Sequence, residues 1–416
     1  MKIAIVTPEF VSETDFDGGL ANYTHRLAKS LIQLGHQPVV FVKSFENTKI
    51  IFDGIDVYRV EVEKYDIWIY SNKYLCKPYL IMKRLLYNRT PWRNLEIKYG
   101  LKIQSFQLNK QLKEINKSEQ FEIVHYAHLG GVGYYKPLDI PCVARLSSST
   151  SLCQQFGGYG APDKEIMYQE KLEFKALKKM DGIFGPSRMI ASITEKEINK
   201  KIEIIETPYV EESAALDSSL YEQQLKDKKY LLFFGSIGLI KGSGTIAEII
   251  YDVLQQHPHL YFVFVGKSLH SSDKSMNMIQ YIKHRSKEHA NRIIHFDKTP
   301  HNKLYPIISN SLFCVLPSRM DNFPNTCIEA MAHSKIVIGT LGNGFEQLIN
   351  DGDSGFLIKV DNHKQLLETI NKVLSLSQEE KKRIENNALQ RVELLKPEKV
   401  VVQLIDFYKK IINNFK

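Results

Sequence analysis

The sequence predicts an α/β protein with two open parallel sheets and a ligand-binding cleft between them. Three observations carry that expectation. Short apolar runs alternate with helical periodicities along both halves of the chain. Several of those runs end in glycine-bearing or polar loops, where parallel α/β sheets bind their ligands. At 416 residues the chain is long enough for two domains of ordinary size. The first domain is placed at residues 1–210 and the second at 229–397. Residues 211–228, polar and acidic and then basic, read as the linker.

Composition narrows the class. Apolar residues at 43% and charged residues at 25% are the proportions of a soluble globular protein. The N-terminus runs directly into a strand-like stretch, Lys2-Ile3-Ala4-Ile5-Val6, without a signal-peptide pattern. No apolar run is long enough to span a bilayer. The five cysteines are odd in number and form no C-x-x-C pair, which points to buried cytoplasmic thiols, not to disulfides or zinc. The N-x-T pattern at Asn22 then carries no glycosylation meaning. A net charge of +8 admits nucleic acid, an anionic membrane or an anionic substrate. No nucleic-acid motif is present, so the membrane surface ranks first.

In the first domain, Leu20, Tyr23, Leu27, Leu31 and Leu34 recur at helical spacing, and Gly35 suits the stop. Gly18 and Gly19 precede that helix, where a bare backbone lets a ligand approach and the helix start favours an anion. G-x-G-x-x-G spacing is absent, so no dinucleotide cofactor is indicated. Asp15 and Asp17 lie close by and read as loop acidity, with no metal expected. Residues 72–104 mix Lys73, Lys77, Lys83, Arg84, Arg89, Arg93, Lys98 and Lys102 with aromatic and aliphatic neighbours. Such a stretch can lie on an anionic membrane surface or pack as a solvated helix. Residues 121–127 read as a strand that runs through His125 towards His128 and the Gly130-Gly131 loop. A neutral imidazole there could bond a substrate hydroxyl. A further strand at residues 142–146 leads to the polar loop from Ser147 to Gly160.

The second domain opens with a strand at residues 230–234, a glycine loop holding Lys241 and Gly242, and a helix at 244–256. Its densest stretch is Pro317-Ser318-Arg319-Met320-Asp321-Asn322-Phe323-Pro324-Asn325-Thr326-Cys327-Ile328-Glu329-Ala330-Met331-Ala332. Apolar runs at 312–316 and 335–339 flank it, so it reads as strand, loop and helix leading to a parallel strand. Asn325 is suited to cap the helix. The amides of Phe323, Pro324's neighbour Asn325, and Thr326 suit an anion. Asp321 and Glu329 can accept bonds from the hydroxyls of a sugar and a ribose.

These residues resemble the acidic signature P-S-x-x-E-x-F-x-x-x-x-x-E-A-M-A of retaining nucleotide-sugar glycosyltransferases of family 4. Here Asp321 takes the place of the first glutamate. The resemblance implies the GT-B fold, two Rossmann-like domains facing a central cleft, with the C-terminal helix (residues 398–416) crossing back to the first domain. It implies transfer of a hexosyl unit from a UDP- or GDP-sugar to a hydroxyl of a glycan or lipid-linked acceptor, with retention, in surface polysaccharide biosynthesis. Gly18 and Gly19 would face the donor phosphates. Lys241, Gly242 and the segment Phe323, Pro324, Asn325 and Thr326 would hold the diphosphate. Glu329 would hold the ribose, Asp321 the transferred sugar, and His128 or His125 would position that sugar, His128 being preferred as further into the loop. The base-contacting loop is carried onto Lys298. Ser236 stands where relatives have a phosphate-binding Arg, and Ser147 where many have a His. A missing charge-assisted contact costs about 1.5–3 kcal/mol. No metal and no cofactor beyond the donor is implied, and the expected place is the cytoplasm, peripheral on the inner membrane face. The competing expectation is a catalytically weak or inactive GT-B subunit partnering another transferase; an epimerase or phosphorylase on the same architecture is a third.

Overall fold

In the computed structural model, which describes residues 1–13, 18–62, 90–157, 160, 162–210, 215–273 and 275–415, the chain divides into two units. Unit 1 comprises Met1–Ser151, Ala161–Pro208 and Pro397–Lys416; unit 2 comprises Leu152–Gly160 and Tyr209–Lys396.

Unit 1 carries strands β1 (Lys2–Thr7), β2 (Gln37–Ser44), β3 (Thr48–Phe52), β4 (Ile55–Glu61), β5 (Ile123–Ala127), β6 (Cys142–Arg145), β7 (Gly182–Gly185) and β8 (Glu203–Ile204). Their order in the sheet is β3-β4-β2-β1-β5-β6-β7-β8. Only β3 runs antiparallel to its neighbour, at one edge. The central strands are buried on both faces, which is why they read as unbroken apolar runs. The helix Gly19–Gln33 ends as its sequence requires, with Gly35 at a φ of 78°. The C-terminal helix Pro397–Asn414 buries Val400, Val401, Leu404, Ile405 and Tyr408 and belongs to unit 1.

Unit 2 carries β9 (Lys229–Phe234), β10 (Leu260–Val265), β11 (Ile293–Phe296), β12 (Cys314–Val315), β13 (Val337–Thr340) and β14 (Phe356–Ile358), in the order β11-β10-β9-β12-β13-β14. Every pairing is parallel. Together the two units make a mixed α/β chain with two parallel sheets, as the alternation of elements predicts.

Both sheets reverse direction at their middle. In unit 1 the chain winds outward from β1 through β2 and then from β5 the other way, so β1 and β5 border the switch point. In unit 2 the same happens between β9 and β12. Loops leaving neighbouring strands diverge at such a point and open a crevice at the strand ends. Gly18 and Gly19 follow β1 and His128 follows β5; Lys241 follows β9 and Asp321 follows β12.

Two local expectations are corrected. The helix Asn325–Ala332 is preceded by Pro324 at the cap position, with no side-chain cap, so Asn325 is its first residue and does not cap it. Part of the stretch read as linker is ordered on unit 2: Ser219–Gln224 is helical, Leu225 is fully buried, and the Asp217 amide donates to Asn302 O at 3.0 Å. The membrane-surface stretch falls partly outside the described residues. Its residues 72–89 are not described, and the remainder opens the helix Thr90–Glu119. Asp15 and Asp17 also lie outside them.

Candidate active site

The unit 2 crevice is built from two loops stitched together. Arg319 N–H donates to Ile240 O at 2.9 Å, tying the loop after β12 to the loop after β9. The crossing is tight at Gly242, whose φ is 75° and where a Cβ would sit 1.8 Å from Pro317 O. Only glycine fits there. The fixed crossing sets Lys241 beside Asp321, with Nζ and Oδ2 2.5 Å apart in a half-buried ion pair. Asp321 is held by its own backbone as well: its carbonyl accepts from Gly344 N–H at 2.9 Å. Thr340 and Asn343 both donate to Ser318 O, at 2.6 and 3.2 Å, and complete the loop's support.

The helix start lies beside this pair. A Cβ on Gly235, at the end of β9, would be 3.3 Å from Thr326 Cγ2, so the helix N-terminus packs against the glycine loop. The Cys327 and Ile328 amides bond to Pro324 O, whereas those of Asn325 and Thr326 have no acceptor among the described residues. Two such donors together with the helix dipole can receive an anion. Ser243, the first residue of the helix Ser243–Gln256 that follows β9, has a fully buried hydroxyl without a partner among the described residues. Glu329 is buried in the helix, with Oε1 3.6 Å from His301 Nε2. Lys298 is exposed on the loop after β11, the edge strand, and so stands on the strand farthest from the switch point on that side. Ser236 stands on the loop after β9, and the Arg319 side chain on the loop after β12 is held by Asp361 at 2.7 Å.

The unit 1 crevice is assembled across longer sequence distances. Gly18 caps the helix Gly19–Gln33 with an ordinary extended backbone, and a Cβ on Gly19 would meet nothing within 4 Å. Neither strain nor packing requires glycine at Gly19, so its bareness leaves the helix start open. His128 sits at the end of β5 with its amide on Arg145 O at 3.1 Å. Its Nδ1 accepts from Ser147 N–H at 2.9 Å, which leaves the neutral ring's proton on Nε2. Nε2 is 3.9 Å from Glu173 Oε2, too far for a hydrogen bond. Burial pushes the His128 pKa down, Glu173 opposes that, and Arg145 adds to it. The Ser147 hydroxyl beside it is buried without a partner among the described residues. In the polar loop beyond, Ser149 and Ser151 both donate to Glu170, at 2.8 and 2.6 Å.

The two histidines separate clearly. His125 is 2% exposed in the middle of β5, with Nδ1 2.6 Å from the Tyr408 hydroxyl in a hydrogen bond. Burial holds its pKa down at about 3, with Arg145 adding to the effect. Its surroundings are those of a core residue that fastens the C-terminal helix, which removes it from the crevice.

Three further residues shape this face and were not singled out by sequence. Glu173 accepts from Gly130 N–H and Gln169 Nε2, both at 2.8 Å, and so fixes the loop that carries His128. Arg145 is buried over the Tyr23 ring, 3.6 Å from its centroid, and donates to Thr207 Oγ1 at 3.0 Å. The guanidinium thereby meets a π face and oxygen acceptors in place of a carboxylate. The Tyr23 hydroxyl is pushed up to about 12 by burial. Glu173 and Tyr23 lie in helices whose patterns mark only a buried side, so no local motif signals them.

Two switch-point crevices, one with open helix amides beside Lys241 and the other with a buried histidine, define a protein of the doubly wound α/β type. Comparison with known proteins gives the class. Residues 17–210 match Glycosyltransferase Family 4, and residues 221–391 match Glycosyl transferases group 1. Spore coat protein SA of Bacillus subtilis (strain 168) is 27% identical over 164 residues, which are 38% of this chain and 42% of that protein. The chain thus matches less than half of that relative's length. Sucrose-phosphate synthase from Thermosynechococcus elongatus superposes with a TM-score of 0.73 at 16% identity, covering 99% of each chain. Anabaena Alr3699/HepE, in a complex with UDP, superposes with a TM-score of 0.67 at 15% identity, covering 99% of this chain and 100% of its own. The chain belongs to the group 1 glycosyltransferases of the GT-B type, with two Rossmann-like domains. No helix among the described residues is long and apolar enough to cross a membrane.

Proposed function

We propose that this glycosyltransferase moves a hexosyl unit from a UDP- or GDP-sugar to a hydroxyl of a glycan or lipid-linked acceptor, with retention at the anomeric carbon. The observation that carries the reading is the meeting of Lys241, Asp321 and the open amides of Asn325 and Thr326 at the β9/β12 switch point. A diphosphate would take the two amides and draw Lys241 from Asp321, and these donors would stabilise the leaving group as its charge grows. Release from Lys241 frees the Asp321 carboxylate to accept bonds from the transferred sugar. Glu329 binds the ribose hydroxyls, and the neutral His128 offers its Nε2–H to the sugar. Lys241 and the helix start neutralise the diphosphate, so the reading needs no metal. Its setting is surface polysaccharide assembly in the cytoplasm at the inner membrane face.

The test is turnover of a UDP- and GDP-sugar panel by wild type and Glu329→Ala, with the anomeric configuration of the product read by NMR. A folded Glu329→Ala protein that keeps full turnover would sink the assignment. A second reading, a weakly catalytic subunit working with another transferase, draws on Ser236 and on Arg319 being committed to Asp361. It predicts no detectable nucleotide binding by the isolated chain.

A further inference from the structure

Unit 1 holds a cavity of about 730 Å³ at the opposite edge of its sheet. Residues 134–138 precede β6 and Asp181 precedes β7, so the cavity lies where strands begin. The candidate transfer residues of this unit lie where strands end. The volume is within the range of about 300–1,000 Å³ typical of small-ligand sites.

Its lining is basic and aromatic. Phe106, Asn109, Lys110 and Lys113 fall on one face of the helix Thr90–Glu119, at spacings of three and four. Lys110 and Lys113 are exposed and make no hydrogen bond or ion pair among the described residues. Lys179 spans the opening, with Nζ 3.8 Å from the Tyr134 ring centroid and donating to Tyr134 O at 2.8 Å. The one acid in the lining, Asp181, is already engaged: Lys136 Nζ is 3.1 Å away and the Cys142 amide donates to it at 2.8 Å. The lining therefore keeps a positive surplus. Phe106 and Tyr135, 52% and 40% exposed, meet edge to face at 5.9 Å, and Leu138 beside them is 84% exposed.

We propose that this cavity is a second, non-catalytic binding site for an acidic oligosaccharide, a glycan carrying carboxylate or phosphate groups. Aromatic rings present a negative π face to the C–H groups of a pyranose, and Phe106 and Tyr135 supply it. The unpaired ammonium groups of Lys110 and Lys113 supply partners for the acidic substituents. The cations line the walls of a concavity, which suits a chain laid into it better than a flat lipid surface. Binding here would hold a growing glycan to the protein between transfers. Binding at this site does not depend on the donor used in the transfer crevices; the holding of a growing glycan rests on the proposed function.

The experiment is calorimetric titration of the full chain with tetragalacturonate, with maltotetraose as the neutral control. Saturable binding of tetragalacturonate is expected, at least about tenfold tighter than maltotetraose. The Lys110→Glu/Lys113→Glu double variant, changed only at exposed positions, weakens it by about tenfold or more. Phe106→Ala weakens it too, and neither variant alters thermal stabilisation by nucleotide sugar. No binding of tetragalacturonate, equal binding of maltotetraose, or wild-type binding by the double variant overturns the proposal. So does a double variant whose only loss is adsorption to vesicles containing phosphatidylglycerol.

Discussion

The two crevices use the same topology and opposite electrostatics. In unit 2 the loops after β9 and β12 leave a half-buried cation, its carboxylate partner and open helix amides, all able to exchange partners. In unit 1 the loop after β5 carries a buried histidine whose tautomer is set by a backbone amide and whose charge is suppressed by burial and by Arg145. The first is arranged to accept charge, the second to exclude it. The proposed transfer would use that division, with negative charge growing on a phosphate while a neutral group orients a sugar hydroxyl.

The sharpest break in the comparison comes from its glycines. Gly242→Ala is expected to destabilise the protein by about 3 kcal/mol, since a left-handed residue must also clear Pro317 O. Gly19→Ala has no such obstacle and should leave the melting temperature unchanged while lowering turnover. Thermal melts of both variants check this; a destabilised Gly19→Ala protein would show that its glycine serves the fold.

Next in size is Lys241→Ala, which should weaken donor binding by about ten- to a hundredfold, the value of a charge-assisted contact of about 1.5–3 kcal/mol. Asp321→Asn separates two roles for its partner. If Asp321 holds the sugar, turnover falls while nucleotide affinity stays or rises. If it serves only to restrain Lys241, turnover is kept.

Tyr408→Phe addresses the histidines. It should cost about 1–2 kcal/mol by orphaning His125 Nδ1, without changing turnover per folded molecule. His128→Ala also orphans a partner, the Ser147 amide, but should lower turnover per folded molecule. Chemical denaturation alongside an activity assay tells the two apart.

A further difference is in pH. The pKa of His125 is about 3 in the folded chain against an ordinary value of 6.5, so the unfolded chain binds the extra proton between those values. Stability is then complete above pH 6.5 and falls as pH drops towards 3. His125→Gln should flatten that slope in melts over this window; an unchanged slope would mean that other groups carry the acid sensitivity.

Legibility in the sequence differed between the same two regions. The unit 2 crevice rests on one contiguous stretch, Pro317 to Ala332, plus Lys241 and Gly242, so its residues stood out together. What the sequence could not supply was the contact of Lys241 with Asp321, which exists because β9 and β12 are neighbours. Unit 1 was legible as strands and helices, but its site depends on pairs such as His128 with Glu173 and Tyr23 with Arg145. These join separate elements with no shared motif. Position in the loop favours His128 over His125, but what holds His125 in the core, Tyr408 on the last helix, has no local signal. Asn325 was a reasonable cap by residue type, yet Pro324, with its fixed φ, took the position and left the amides open.

The most direct test of the central claim is the melting temperature of the purified chain against UDP-, GDP- and ADP-sugars, with Lys241→Ala as the control. The account predicts a nucleotide-selective rise, about 2.7 kcal/mol of stabilisation at a hundredfold excess over Kd, greatly reduced in Lys241→Ala. No rise with any donor, or an equal rise in the variant, would contradict it.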